Sequence, residues 1–392
     1  MKIKTVYMDI EEVLAQPVQQ HVYPKRPNIF FRMLLRAVSA PDLKATNFKY
    51  REFEMEKLGK KEPCLVLMNH SSFIDLKIAS TVLYPRPLNI VCTSDGFVGK
   101  ERLMRSLGCI PTRKFVTDTQ LVRDMMFALK KLKSSILMYP EASYTFDGTA
   151  TPLPAGLGKC VKLMGVPVVM IRTYGAFARD PLYNGLRLRK VDVSADISYI
   201  LSPEDIRTKT AEDINGILYE QFSFDNFKWQ QENNVKISEP FRAEGLNRVL
   251  YKCPHCGAEG SMESGGADIL CNACGKGYTL TEYGFMEAKE GKTEFPHIPD
   301  WYAWERDCVR QEILKGSYKL DVPVDIYMMV NTRKVYGIGE GRLTHGETGF
   351  RLTGCNGKLD YHQHPLASYS LYSDYFWYEM GDVICIGDAA AL

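Results

Sequence analysis

Between residue 64 and about residue 171 the chain alternates short apolar runs with stretches of helical periodicity, and this alternation constrains the fold more than any other feature. Cys64–Met68, Leu88–Thr93, Ser135–Tyr139 and Val166–Ile171 read as buried strands: short, apolar and without a polar face. Ser72–Leu83 and Gly156–Met164 read as helices. So does a segment opened by Asp118, in which Leu121, Val122, Met125, Met126, Leu129 and Leu132 recur at helical spacing. Strands that alternate with helices imply an α/β fold, a mostly parallel sheet flanked by helices. Leu186–Leu201 extends the pattern as one or two strands, and Thr210 to about Gln231 as a helix.

A chain of 392 residues holds two or three domains. We expect the α/β unit over residues 1–240, a small unit built on paired cysteines over 248–285, and a β-rich domain over 315–392. In the last, from Val324, glycine turns (Gly337, Gly339, Gly341, Gly346, Gly349) separate β-type runs. A polar linker containing Pro296 and Pro299 and a helix around Trp301–Leu314 lie between. The closing stretch ends at Leu392 without a capping element, so the last domain is expected to be incomplete. A net charge of +2 gives no general attraction to nucleic acid. No run approaches the ~18 to 20 apolar residues of a membrane span, and acids stand early where a signal peptide is apolar. The expectation is a cytoplasmic protein. Of 11 cysteines, seven are scattered singly, which is reduced-compartment usage.

Ligands bind open α/β sheets at the carboxyl ends of the strands. His70 lies just past the first predicted strand, and Tyr139-Pro140-Glu141 at the end of the third. Two distant polar motifs therefore fall on one sheet edge. Five positions along a helix would turn His70 and Asp75 about 140° apart. His70 must then precede the helix, with Ser71 or Ser72 as N-cap and Asp75 in the first turn, folded back toward the imidazole. Such a pair can act as a general base and its orienting acid. Ser72-Phe-Ile-Asp75 also spells a capping box, a role compatible with the first.

Asn69-His70-Ser71-Ser72-Phe73-Ile74-Asp75, Gly108-Cys-Ile-Pro-Thr-Arg113, Tyr139-Pro140-Glu141-Ala142-Ser143-Tyr144-Thr145 and Gly165-Val166-Pro167-Val168-Val169 occur in this order. In these four blocks the chain resembles the glycerophospholipid acyltransferase family, over roughly residues 25–230. The resemblance implies that His70 activates an acceptor hydroxyl and Asp75 orients it. The acyl group would come from acyl-CoA or acyl carrier protein as co-substrate. Arg113, Glu141 and Ser143 would bind the acceptor, 1-acylglycerol-3-phosphate or a related lysolipid, in phospholipid biosynthesis. Tyr144 stands where the family has Arg and Ala142 where it has Gly, and Lys114 or Lys159 could supply the missing charge. Two other readings are a non-catalytic lipid-binding or scaffold protein that retains the fold, and an adaptor acting through the cysteine unit.

Asn28–Ser39, if helical, carries Ile29, Phe30, Phe31, Met33, Leu34, Leu35 and Val38, with Arg32 and Arg36 on one stripe. It fits either a packing helix or one lying on membrane surface lipids; the second would place the protein peripherally on the inner face of the membrane. Cys253-Pro-His-Cys256-Gly and Cys271-Asn-Ala-Cys274-Gly put four thiolates on two tight turns. This pattern looks like a zinc ribbon holding structural Zn²⁺, with rubredoxin-type iron as the alternative. His255 and the pair His362 and His364 are not expected to be ligands. The charges around the ribbon are mixed, so no nucleic acid partner is expected.

Overall fold

The computed structural model describes residues 3–387. The strand β1 (Thr5–Tyr7) and helices α1 (Ile10–Leu14) and α2 (Ile29–Ala45) lead into β2 (Lys49–Phe53), β3 (Leu65–Met68), α3 (Ile74–Val82) and β4 (Leu88–Thr93). Then follow α4 (Glu101–Ser106), β5 (Cys109–Thr112), α5 (Thr119–Lys130), β6 (Ser135–Met138), α6 (Leu157–Met164) and β7 (Val168–Tyr174). The unit closes with α7 (Ala176–Arg179), β8 (Ser194–Leu201), α8 (Pro203–Thr208), α9 (Ala211–Phe222) and α10 (Asn226–Glu232). Strands β2 to β8 form one sheet in the order β2-β8-β7-β3-β6-β4-β5, parallel throughout except between β7 and β8.

Side-chain alternation along β3 explains the two covered faces. Val66 and Met68 join Leu43 of α2 and Ile74 and Ile78 of α3. Leu65 and Leu67 join Met125 and Leu129 of α5, Val161 of α6, and Ile214 and Leu218 of α9. All four β3 residues are fully buried, each stabilising the fold by roughly 1.5–3 kcal/mol. As the sequence indicates, Asp118 caps α5, its carboxylate accepting from the Leu121 amide at 2.9 Å.

Several expectations shift. The helix expected over Thr210–Gln231 is two helices. Asp225 starts the second by accepting from the Lys228 amide at 2.9 Å, and the intervening backbone bonds to Gly148 and Ala150. Within Leu186–Leu201 only Ser194–Leu201 is a strand. The earlier part wraps the buried Arg189 guanidinium, which donates to the Tyr183 hydroxyl, Asn184 Oδ1 and the Arg242 carbonyl. Helix α3 begins at Ile74 with Phe73 as N-cap, later than expected, because Asp75 draws the preceding amides toward itself.

Beyond residue 250, β9 (Met262–Gly265), β10 (Asp268–Cys271), β11 (Gly277–Leu280) and β12 (Met286–Ala288) form an antiparallel sheet. Pro299 belongs to the first turn of α11 (Ile298–Leu314), not to a linker, since a missing amide proton costs nothing there. The β-rich part comprises β13 (Leu320–Met328), β14 (Val335–Gly346), β15 (Gly349–Gly354), β16 (Leu359–Gln363) and the hairpin β17 (Tyr372–Trp377) and β18 (Gly381–Cys385). Its sheet takes β1 as a parallel neighbour of β14, so residues counted with the first unit by sequence pair with the last. Residues 388–392, on which the expected uncapped end rests, lie outside the described residues.

Gly158 shows how tightly one face is closed. A Cβ there would stand 2.2 Å from the Ala211 carbonyl oxygen at the start of α9. Gly158→Ala should push α6 from α9 and cost about 1–3 kcal/mol, seen as a lower denaturant midpoint by circular dichroism. An unchanged midpoint would mean that the two helices do not meet there.

Candidate active site and metal centre

The end of β3 sets the site. Asn69 Oδ1 accepts from the Thr173 amide at 2.9 Å and ties this end to β7. His70 comes next, on the turn before α3. Asp75 Oδ2 accepts from His70 Nδ1 at 3.1 Å, from the Ser71 amide at 2.7 Å and from the Ser72 amide at 3.0 Å. One oxygen thus serves the imidazole and the two amides ahead of the helix, but the N-cap is Phe73, without a side-chain cap bond, and not Ser71 or Ser72. A carboxylate oxygen can only accept, so His70 Nδ1 carries a proton and Nε2 presents its lone pair.

Glu141, just past β6, holds the same residue by its backbone. Its Oε2 accepts from the His70 amide at 2.8 Å, while Oε1 accepts from the Thr151 amide at 2.8 Å and the Thr151 hydroxyl at 3.2 Å. The Thr145 amide in turn donates to the His70 carbonyl at 3.1 Å. Burial pushes the Glu141 carboxyl up to about 7, although the Thr151 and His70 amides pull it down. Burial also holds the His70 imidazole below 6.5, against the pull of Asp75. Ala142, in place of the family glycine, takes a left-handed φ of +59° inside this turn, and Ser143 is buried beside it.

Sequence reasoning missed the tyrosines. The rings of Tyr139 and Tyr144 each lie 4.1 Å from the His70 ring, inclined by 26° and 37°. Two rings that close cannot sit side by side on one face, so they cover opposite faces. The signal was an aromatic on either side of Pro140-Glu141; Tyr144 registered only as a lost arginine. A cavity of about 10 Å³ beside His70 is bordered by Asn69, Glu141, Thr145, Phe222 and Asn226, and the His70 side chain itself remains 21% exposed.

Arg113 and Lys114 follow the edge strand β5, separated from β3 by β4 and β6. The Lys114 ammonium contributes to the lowered His70 pKa, packs over the Tyr372 ring at 4.1 Å and approaches Asp374 at 4.0 Å. Lys159 is exposed on α6, which covers one face of the sheet. The hairpin β17–β18 lies over this sheet edge: Tyr372 Oη and Trp377 Nε1 both donate to Asp95 Oδ2, at 3.1 and 2.9 Å.

Residues 50–173, which contain His70, Asp75, Arg113 and Glu141, match the family model described as Acyltransferase. This segment is an acyltransferase domain. Among solved structures the chain is similar to the 1-acyl-sn-glycerophosphate (LPA) acyltransferase PlsC from Thermotoga maritima. The identity is 14% and the TM-score 0.40, over 49% of this chain and 76% of that one. Comparison with curated proteins returns no match.

Beyond the acyltransferase domain, the sulfurs of Cys253, Cys256, Cys271 and Cys274 all lie within 4.8 Å of one another. The pairs Cys253–Cys274 and Cys256–Cys271 stand 3.8 Å apart. A tetrahedral ion with metal–sulfur bonds of about 2.3 Å needs sulfurs about 3.8 Å apart, so the set fits a closed four-thiolate site. Gly257 and Gly275, at φ +77° and +78°, turn each knuckle back on itself. His255 pairs with Glu294 at 3.2 Å, outside the set. The purified chain should bind a single metal ion, measured by elemental analysis, and Cys271→Ser should lose it together with thermal stability. Equal metal content in both would rule out this cluster.

Proposed function

We propose that the protein transfers a fatty acyl group from acyl-CoA or acyl carrier protein to the free hydroxyl of 1-acylglycerol-3-phosphate or a related lysolipid. The observation that carries this reading is the 3.1 Å contact of His70 Nδ1 with Asp75 Oδ2 at the carboxyl end of β3, inside the acyltransferase domain. His70 Nε2 takes the proton of the acceptor hydroxyl as its oxygen attacks the thioester carbonyl. The carbon–sulfur bond then breaks, and the thiolate leaves and takes up the proton. Glu141 acts by bracing the His70 backbone, since both its oxygens are engaged with protein donors. Arg113 and Ser143 are the proposed contacts of the acceptor head group, with Lys114 as the cation whose field reaches His70. The metal is proposed to be a structural Zn²⁺, because four thiolates leave no coordination position for a substrate.

The tyrosine cover favours a second reading, a lipid-binding or scaffold protein that keeps the fold. His70→Ala separates the two. With folding intact, it should abolish thioester consumption, the loss of a general base being typically ~10² to 10⁴ in rate. A variant as active as the parent would remove the enzymatic reading. The pH dependence has a definite sign. The base must be neutral, and burial lowers its pKa from 6.5, so the acid limb of kcat/KM should be centred below pH 6.5. An acid limb centred above pH 7 would contradict the assignment.

Helix α2 supplies the proposed lipid contact. Ile29, Phe30, Met33, Leu34 and Val38 share one side and are 39–62% exposed, while Ser39 and Leu43 face inward. Lys25 and Arg26 precede the helix, which suits anionic lipid such as that of a cytoplasmic membrane face. No helix among the described residues is long and apolar enough to cross a membrane. Truncation is a poor test, because it removes β1 from the C-terminal sheet. Phe30→Ser with Met33→Ser should instead reduce co-sedimentation with anionic phospholipid vesicles; unchanged binding would exclude this face.

A further inference from the structure

The turn that carries His70 and Asp75 is held from behind by a group outside that pair. Asp180 follows α7, beyond the end of β7, and is 2% exposed. Its Oδ1 accepts from the Ser72 hydroxyl at 2.5 Å. The Ser72 amide donates to Asp75 at 3.0 Å, and the Ser72 hydroxyl oxygen also accepts from the Ile74 amide at 3.2 Å. Ser72 therefore hangs between two buried carboxylates, one on its amide and one on its hydroxyl. Arg179 Nη1 pairs with Asp180 Oδ2 at 3.1 Å, and Arg179 Nη2 reaches Asp42 of α2 at 3.9 Å. Arg179 is buried as well. A buried carboxylate needs such pairing to stay charged, and a charged Asp180 is the stronger acceptor for Ser72.

The amides of Ser71 and Ser72 precede the helix and have no helical partner of their own. Asp75 can hold the imidazole in one direction only if those two amides are themselves fixed. We propose that Asp180 is a positioning residue for the reaction: by anchoring the Ser72 hydroxyl it fixes the peptide units that Asp75 grips, and through them the orientation of His70. It touches neither substrate nor imidazole. The proposal rests on the acyl-transfer reading above.

The test uses the full chain with Asp180→Ala, Asp180→Asn, Ser72→Ala and the double variant Ser72→Ala/Asp180→Ala. Two quantities are read: kcat and KM for acyl-CoA with a lysolipid acceptor, and the tautomer and pKa of the His70 ring by ¹⁵N NMR. Asp180→Ala and Ser72→Ala should each lower kcat by about 10- to 100-fold with KM nearly unchanged, the scale of a misplacement of about 1 Å. Asp180→Asn keeps an acceptor oxygen and should retain more activity. The double variant should be no worse than either single, because both remove one link. In both single variants the His70 signals should move. Unmoved His70 signals, or multiplying losses in the double variant, would overturn the proposal. If Asp180→Ala does not fold, Ser72→Ala decides by the same two readings. If the parent consumes no thioester with any acceptor, the acyl-transfer reading fails. The NMR result still decides Asp180: moved signals support it and unmoved signals refute it.

Discussion

A single carboxylate oxygen, Oδ2 of Asp75, organises the turn on which the acyltransferase domain depends. It accepts from one imidazole and two backbone amides, all within 3.1 Å. Bonds to a charged acceptor are the strong class, contributing ~1.5–3 kcal/mol each against ~1 for a neutral pair. The oxygen thereby gathers the turn between β3 and α3 and sets the imidazole tautomer together. The His70 backbone is gripped independently, its amide by Glu141 and its carbonyl by the Thr145 amide. Ring and main chain are thus fixed by different elements, which is what a preorganised base requires.

The tyrosines give the same residue an unusual setting. With Tyr139 and Tyr144 over its faces, the imidazole contacts rings where water would otherwise stabilise its cation. That lowers its basicity and keeps it neutral, the state needed to accept a proton. The same rings narrow the approach, although the His70 side chain stays 21% exposed. Tyr144 also meets Phe73, an exposed aromatic at the N-cap of α3, at 5.6 Å edge to face. Helix α3 packs on α2, with Ser80 and Ser39 hydroxyls 3.4 Å apart.

The sheet was legible because its signals are local. Runs such as Leu65–Met68 are buried on both faces and carry no polar alternation, and Asp118 marks its helix by one capping side chain. The His70–Asp75 geometry was legible for a related reason: five residues on a helix diverge, so the pair forces a turn. What was not legible depends on partners far away in sequence. Three residues, Thr5–Tyr7, become a strand only because β14 offers an edge. The break between α9 and α10 is imposed by Gly148 and Ala150, over 70 residues earlier in the chain. Asp180 carries no motif, and its place behind Ser72 follows from the parallel neighbours β7 and β3, which bring their ends together. Tyr144 was visible as a departure from the family pattern but not as a lid on the imidazole, since stacking is decided by where β6 ends relative to β3.

The cysteine unit, although far from His70 in sequence, shares a core with the wall behind it. Phe177 of α7 belongs to the same buried cluster as Cys253, Cys271, Ile269, Tyr278 and Trp301. Trp301 Nε1 donates to the Lys252 carbonyl at 3.0 Å, next to the first thiolate. A metal on the four sulfurs would tie the two knuckles together beside that cluster. Helix α7 is only four residues long and makes little structure on its own. Its C-terminal residue is Arg179, and Asp180 comes next. Whatever steadies Phe177 therefore steadies the carboxylate that anchors Ser72. The cysteine unit and the wall behind His70 are thus joined by one hydrophobic cluster.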